Sequence, residues 1–142
     1  MQDLLLDTNV MSELMRGMPD NTVIRWFEHN SHLKLFSSAV TKAEILLGVA
    51  LLPEGRRKQA LAEDAELTFA EDFASECLPF DKDAAIVFAW VASSRKKLGK
   101  PIGMADAQIA AIALVNELTL VTRNTKDFEQ IEGLNLINPW LP

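Results

Sequence analysis

The sequence is poor in the residues that staple small proteins together, because it contains a single cysteine, Cys77, and only two histidines. One cysteine excludes an internal disulfide, and with His29 and His32 it is too little for a zinc cage. No apolar stretch approaches the roughly 18 residues needed to span a bilayer, and the opening residues MQDLLLD lack the basic segment of a signal peptide. We therefore expect a cytoplasmic protein without membrane association.

Positive charge is also scarce, since 14 Lys and Arg residues face 20 Asp and Glu residues, a formal net charge of −6. This balance argues against a broad basic face that binds duplex nucleic acid, but it leaves open a nucleic-acid enzyme with a locally basic or metal-containing site. At 142 residues, 49% of them hydrophobic, the chain is long enough to bury one core without metal or disulfide. We expect one domain, residues 1–142.

Short apolar runs alternate with longer segments of helical spacing. The predicted strands are residues 4–6, 33–36, 118–122 and 134–137, with a further short extended piece at 77–80. The predicted helices are residues 9–16, a second from about 21, 41–52, a bent or broken one over 56–75, 83–98, and an apolar one over 106–116. This alternation predicts an α/β fold with a doubly wound, mainly parallel sheet of four or five strands and helices on both faces.

Four acidic residues lie where the predicted strands end or the following helices begin. Asp7 follows the first strand, Asp127 lies just past the strand at 118–122, and Glu44 and Asp106 fall in first turns of helices. Ligands of parallel sheets bind beyond the carboxyl ends of the strands. Carboxylates that converge there repel one another unless a cation neutralises them, and oxygen ligands favour Mg²⁺ or Mn²⁺ over zinc.

Each of these acids also has a purely structural interpretation. Thr41 and Glu44 have the spacing of a capping box, and Asp7 could cap the helix that follows it. Asp106 could be favoured by the helix dipole, and Asp127 could cap a short turn. Taken one at a time, the acids leave both interpretations open.

Four segments resemble, in order, the motifs of PIN-domain ribonucleases of the VapC/FitB type. They are LLDTNVMSE at 5–13, TKAEILLG at 41–48, PIGMADAQIAA at 101–111, and TRNTKDF at 122–128 followed by NPW at 138–140. The resemblance implies a single PIN-like domain and a Mg²⁺-dependent endoribonuclease, the toxin of a type II toxin–antitoxin pair. It also implies an RNA substrate, a homodimer, and an antitoxin whose C-terminal segment covers the site.

The same resemblance assigns roles to individual residues. Asp7, Glu44 and Asp106 correspond to the acidic triad, with Asp7 and Asp106 as metal ligands. Many members have an aspartate where this chain has Asn124, so Asp127 is our candidate for the fourth acid, and Asn124 has a supporting role. Asn9 and Thr122 are expected to support the site by hydrogen bonding.

A cluster of cations precedes the Asp106 segment and could form a local track for RNA phosphates: Arg95, Lys96, Lys97 and Lys100. The alternative is a solvated helix end whose cations complement the helix dipole. Arg123, beside the fourth motif, is expected to contact substrate or to pair with Asp127.

Two other functions compete with the nuclease. Phosphatases that use an aspartyl-phosphate also open with a strand followed by Asp, but they require a second Asp two residues later, where this chain has Asn9. A catalytically degenerate PIN fold kept as a binding subunit would be expected to have lost one or more of the acids, and this chain retains at least three.

Overall fold

The computed structural model describes residues 2–73 and 76–142. The described strands are β1 (Leu4–Leu6), β2 (Leu35–Ser38), β3 (Cys77–Leu78), β4 (Thr119–Val121) and β5 (Leu136–Ile137). The described helices are α1 (Thr8–Leu14), α2 (Asn21–His29), α3 (Ala39–Ala50), α4 (Arg56–Leu67), α5 (Lys82–Lys97), α6 (Met104–Val115) and α7 (Thr125–Phe128). None of these helices is long and apolar enough to cross a membrane.

The strands form one parallel sheet in the order β3-β2-β1-β4-β5. β1 lies at the centre, where Leu5 is in register with Phe36 of β2 and Leu120 of β4. From β1 the chain winds outwards in both directions, which confirms the predicted doubly wound parallel sheet and fixes the number of described strands at five. Such a sheet gathers the residues that follow β1 and β4 at one edge.

Successive residues of the central strands point to opposite faces, and each face has its own core. Leu5 and Leu120 pack against α5 and α6, whereas Leu4, Leu6 and Val121 pack with residues of α1, α3 and α4. Burial on both faces explains why β1 is an uninterrupted apolar run instead of an alternating one.

Helix α6 is the most buried helix, as its sequence predicted. Ala107 and the five consecutive residues from Ile109 to Ala113 are completely buried. The four alanines among them let α6 lie close to the sheet and to α5, so the first turn of α6 is held firmly at the edge of the sheet.

Most predicted boundaries are shifted by one or two residues; β5, for example, begins at Leu136 instead of residue 134. β2 begins at Leu35 instead of residue 33, because the Leu33 N–H closes a turn onto the Asn30 carbonyl (3.0 Å) and the Lys34 N–H donates to the side chain of Asp3 (Oδ1, 2.9 Å) instead of to a neighbouring strand. The predicted break in the helix at 56–75 is confirmed, because the α-helix ends at Leu67 and continues as a π-helical turn over Thr68–Asp72. Its predicted end at residue 75 lies outside the described residues.

Candidate active site

Asp7 is a buried carboxylate at the carboxyl end of β1, with only 4% of its surface exposed. It is also the N-cap of α1, where Oδ1 accepts a hydrogen bond from the Thr8 backbone N–H (2.8 Å). Its second oxygen, Oδ2, accepts from Thr122 Oγ1 (2.7 Å) and from Asn9 Nδ2 (3.3 Å). The capping interpretation is therefore correct for Asp7, but capping accounts for only one of its two oxygens.

Burial is the main reason why the pKa of Asp7 is raised above its ordinary value. The bonds from Thr122 and Thr8 oppose this effect because they stabilise the charged form, whereas the negative charges of Glu44 and Asp127 add to it. Two acids that are distant in sequence therefore lie close enough to Asp7 to change its ionisation.

Glu44 reaches the site from α3, and the capping-box interpretation of this residue was wrong. The N-cap of α3 is Ser38, whose Oγ accepts from the Thr41 N–H (3.1 Å), so Thr41 already lies inside the helix. Glu44 Oε1 instead accepts a 2.6 Å hydrogen bond from Thr8 Oγ1, the hydroxyl of the residue next to Asp7. This contact joins α3 to α1 beside the carboxylate of Asp7.

Asp106 is the third residue of α6 and is half-buried. Burial, followed by the negative charges of Asp7, Asp127 and Glu44, raises the pKa of Asp106 from 3.8 to about 6. Its position in the first turn suits the helix dipole, as the structural interpretation held, but the dipole favours the charged form and does not explain a raised pKa. The electrostatic coupling instead indicates that all four acids share one edge of the sheet.

Asp127 lies on α7 and is exposed to solvent. The predicted short turn is present as α7, but its N-cap is Asn124, so the predicted capping role of Asp127 was wrong; the charge of Asp127 instead raises the pKa of both Asp7 and Asp106. Asn124, the N-cap of α7, binds Thr122 Oγ1 through its backbone N–H (3.1 Å), and its carbonyl accepts from the Asp127 N–H (3.0 Å). Asn124 thus contacts the site residues through its backbone.

Thr122 is the hydrogen-bonding centre of the site. Its buried hydroxyl donates to Asp7 and accepts from the N–H of Asn124, with the amide of Asn9 at 3.5 Å. Asn9 in turn accepts from the N–H of Arg123 (3.2 Å). The contacts predicted for Asn9 and Thr122 are therefore present, and they fix the side chain of Asp7.

The donor set has the chemistry of a hard-cation site. The side chains that converge offer oxygen atoms only, and their mutual repulsion in a partly buried setting is what a divalent cation would relieve. No three His, Cys, Asp or Glu side chains in the described part of the chain form a ready-made ligand cluster. Because Mg²⁺ needs only one or two direct carboxylates and keeps several waters, the residues present fit this ion.

The predicted phosphate track divides into two parts. Lys96, Lys97 and Lys100 are exposed at the end of α5 and stay candidates for phosphate contact. Arg95 is only 5% exposed and donates to the backbone carbonyls of Lys100, Asp127 and Glu129. The prediction that Arg95 contacts RNA was therefore wrong, because its guanidinium is enclosed by its own chain.

Arg123 is exposed, and its guanidinium lies over the ring of Trp140, 4.8 Å from the ring centroid. Among residues 2–73 and 76–142 no ion pair joins it to Asp127, so the predicted pairing is not found. Asn138 supports the arrangement, because its amide donates to the Arg123 carbonyl (3.2 Å) and its Oδ1 accepts from the Trp140 N–H (2.9 Å). The segment NPW therefore fixes the side chain of Arg123, the residue that directly follows Thr122.

Sequence reasoning missed the role of Thr8, which binds Glu44 through its hydroxyl and Asp7 through its N–H. The available signal was its position inside the motif at 5–13, directly after the first acid. Trp140 was noted only as part of a motif, and nothing in the sequence indicated that it stacks on Arg123.

Comparison with known proteins agrees with this geometry. The PIN domain model matches residues 4–134. The chain is 40% identical to VapC ribonuclease Y4jK of Sinorhizobium fredii over 98% of this chain and 99% of that protein, and 41% identical to Toxin FitB of Neisseria gonorrhoeae over 96% and 98%. The crystal structure of FitAcB from Neisseria gonorrhoeae superposes with a TM-score of 0.83 at 40% identity, covering 96% of this chain and 98% of that one. The chain therefore belongs to the PIN domain family.

Proposed function

We propose that this protein is a divalent-metal-dependent endoribonuclease, using Mg²⁺ or Mn²⁺, and the toxin of a toxin–antitoxin pair. The observation that carries the proposal is the electrostatic coupling of Asp7, Glu44, Asp106 and Asp127 at one edge of the sheet. A ribonuclease and a toxin among its relatives, each about 40% identical over nearly the whole chain, support the same activity.

Asp7 and Asp106 are the residues that would hold the ion. When bound, a divalent cation lowers the pKa of a coordinated water and stabilises charge on a phosphate. Asp7 is preorganised for this role, since Thr122, Asn9 and the Thr8 N–H fix both of its oxygens. Burial and the neighbouring negative charges raise the pKa of Asp106 to about 6, and a bound cation would favour its charged form.

Glu44 and Asp127 complete the reacting edge from opposite sides. Glu44 Oε1 is held by Thr8, and its other carboxylate oxygen is available to accept a proton from an attacking water. Asp127 is exposed and can hold water toward the same centre. In this proposal the four carboxylates line the edge of the sheet at which a phosphodiester would be hydrolysed.

The substrate we propose is RNA in single-stranded or looped form, because its scissile phosphate must reach a recessed acidic edge. We assign the phosphate contacts outside that edge to four exposed cations: Lys96, Lys97, Lys100 and Arg123. Arg123 is the best ordered of them, since it directly follows Thr122 in the chain and its guanidinium lies against the ring of Trp140.

The test is cleavage of a labelled RNA by purified protein with Mg²⁺, Mn²⁺ or EDTA. We expect cleavage that needs the metal and falls by at least about 100-fold in Asp7→Asn and Asp106→Asn, as expected when a direct metal ligand is lost. Asp83→Asn, which removes an exposed acid from the first turn of α5, is the matched control and should cleave normally. Cleavage that persists in EDTA or in Asp7→Asn would refute the metal mechanism.

The proposed toxin role includes a cognate antitoxin and a homodimer. Expression of the chain alone in bacteria should arrest growth, and Asp106→Ala should relieve the arrest. Light scattering of the purified protein measures the expected dimer. If the wild-type chain cleaves RNA in vitro but does not affect growth, the toxin role would be refuted while the ribonuclease activity would stand.

A further inference from the structure

We propose that Arg95 is a positioning residue of the acidic site, which holds the loop leading into Asp106 and the helix carrying Asp127 at a fixed spacing. The inference rests on the proposed function, because it concerns residues that we propose to surround a metal ion. It replaces the phosphate contact that the sequence suggested for this arginine.

The side chain of Arg95 bridges two segments that are remote in sequence. Its Nε donates to the carbonyl of Lys100 (2.9 Å), and its Nη1 donates to the carbonyls of Asp127 (2.8 Å) and Glu129 (3.0 Å). The residue itself is fixed in the last turn of α5 and is 5% exposed. One rigid guanidinium therefore sets the distance between the two segments.

On the Asp106 side, Arg95 reinforces the turn that ends α5. The N–H of Gly99 donates to Lys96 and the N–H of Lys100 donates to Arg95, both at 3.0 Å, with Gly99 at φ 73°. This is the Schellman arrangement, in which a left-handed glycine closes the helix. Arg95 then binds Lys100 a second time through its side chain, and the chain runs from there directly into α6 and Asp106.

On the Asp127 side, Arg95 supplies partners that α7 cannot provide for itself. A helix of four residues leaves its last carbonyls without intrahelical partners and has little stability alone. Arg95 Nη1 donates hydrogen bonds to the carbonyl of Asp127 itself and to that of Glu129. The orientation of the Asp127 side chain therefore depends on this contact.

The usual structural reason for a buried arginine is a carboxylate partner, and the described ion pairs include none for Arg95. All of its observed bonds instead go to backbone carbonyls on the two segments that lead to Asp106 and carry Asp127. This choice of partners is what distinguishes positioning of the site from ordinary packing of α5.

The test compares Arg95→Met, which keeps the length of the side chain but removes its donors, with Val91→Ala as control. Val91 lies one turn earlier on the same buried side of α5, so its truncation destabilises the helix packing without touching the three carbonyls. The first measurement is Mn²⁺ affinity by electron paramagnetic resonance. The second is hydrogen exchange, in metal-free protein, of the Asp127 and Ala107 amides, which bind Asn124 and Gly103.

We expect Arg95→Met to weaken Mn²⁺ binding about tenfold, as when an outer partner of a metal ligand is removed, and to speed exchange of the Asp127 amide relative to Val91→Ala. Arg95→Lys keeps the charge but cannot reach both segments, so its affinity should be intermediate. If Arg95→Met does not fold, Arg95→Lys decides. The proposal would be overturned if the variant that folds binds Mn²⁺ as tightly as the wild type and exchanges its Asp127 amide at the wild-type rate.

Failure of the proposed function would look different. A wild-type protein that binds no Mn²⁺ and cleaves no RNA would refute the metal-dependent nuclease, while the exchange comparison needs no metal and still tests the bridge. Normal Mn²⁺ binding by the wild type together with unchanged exchange in Arg95→Met would overturn only the role of Arg95.

Discussion

Replacing Asp106 by asparagine should stabilise the metal-free protein at neutral pH. The pKa of Asp106 is about 6 in the folded chain against an ordinary 3.8. Between these values the folded state binds a proton that the unfolded state has lost, so the free energy of unfolding decreases as the pH rises from about 4 to about 6. Well above pH 6 this decrease in the free energy of unfolding is complete, and the folded state holds an ionised Asp106 close to other negative charges.

The magnitude follows from the same two values. The difference between 3.8 and about 6 is equivalent to about 3 kcal/mol for a fully buried group. Asp106 is only half-buried, so water screens part of this effect and about 1.5 kcal/mol is the better expectation. Asparagine has nearly the same shape and does not ionise, so Asp106→Asn should recover this free energy at pH 7.5 and little of it at pH 4.

The assay is thermal unfolding in EDTA across this pH range. For a chain of this length, about 1.5 kcal/mol corresponds to a rise in Tm of roughly 5 °C at pH 7.5. Asp83→Asn is the control and should not raise the Tm at pH 7.5, because this exposed residue lies outside the acidic site. An Asp106→Asn protein that is less stable than wild type at pH 7.5 in EDTA would refute the reasoning.

Three further predictions follow from the same site. Mg²⁺ should raise the Tm of the wild-type protein more at pH 7.5 than at pH 5, because a protonated Asp106 cannot bind it; equal shifts at both pH values would contradict this. Thr122→Val removes the 2.7 Å bond to Asp7, so the acid limb of the RNA-cleavage pH profile should move to higher pH, and an unmoved limb would contradict the role of this bond. Gly99→Ala should cost about 1 kcal/mol in urea unfolding, since Gly99 has a φ of 73°, and a neutral result would count against the turn.

The elements whose hydrophobic pattern and length allow only one type of secondary structure were predictable. The run Leu4–Leu6 is too short for a helix and is fully buried, and α6 is long enough for a helix and apolar around most of its circumference. The start of β2 was misplaced because Leu33 is apolar and buried yet lies outside the strand. Local hydrophobicity cannot distinguish a core residue before a strand from the first residue of the strand.

The candidate site was predictable as a set of residues but not as a set of contacts. Asp7 and Asp106 follow or open elements whose ends the sheet gathers at one edge, so their proximity follows from topology. The bond from Thr8 to Glu44 and the enclosure of Arg95 depend on how α3 and α7 pack, which spacing along the chain does not encode. For Glu44, the local capping pattern gave a plausible but incorrect interpretation.

The geometry of Asp7 also weighs against the two competing functions. In an aspartyl-phosphate phosphatase the residue two positions on must be an acid, whereas here it is Asn9, whose amide donates to Asp7 Oδ2 and whose oxygen accepts from Arg123. A binding subunit has no need for carboxylates whose charges raise the pKa of Asp7 and Asp106, because this repulsion costs folding free energy and asparagine would serve equally well. Keeping such acids together is physically reasonable where their combined charge is used, and neutralisation by a divalent cation during phosphodiester hydrolysis is the use that their oxygen-only donor set fits best.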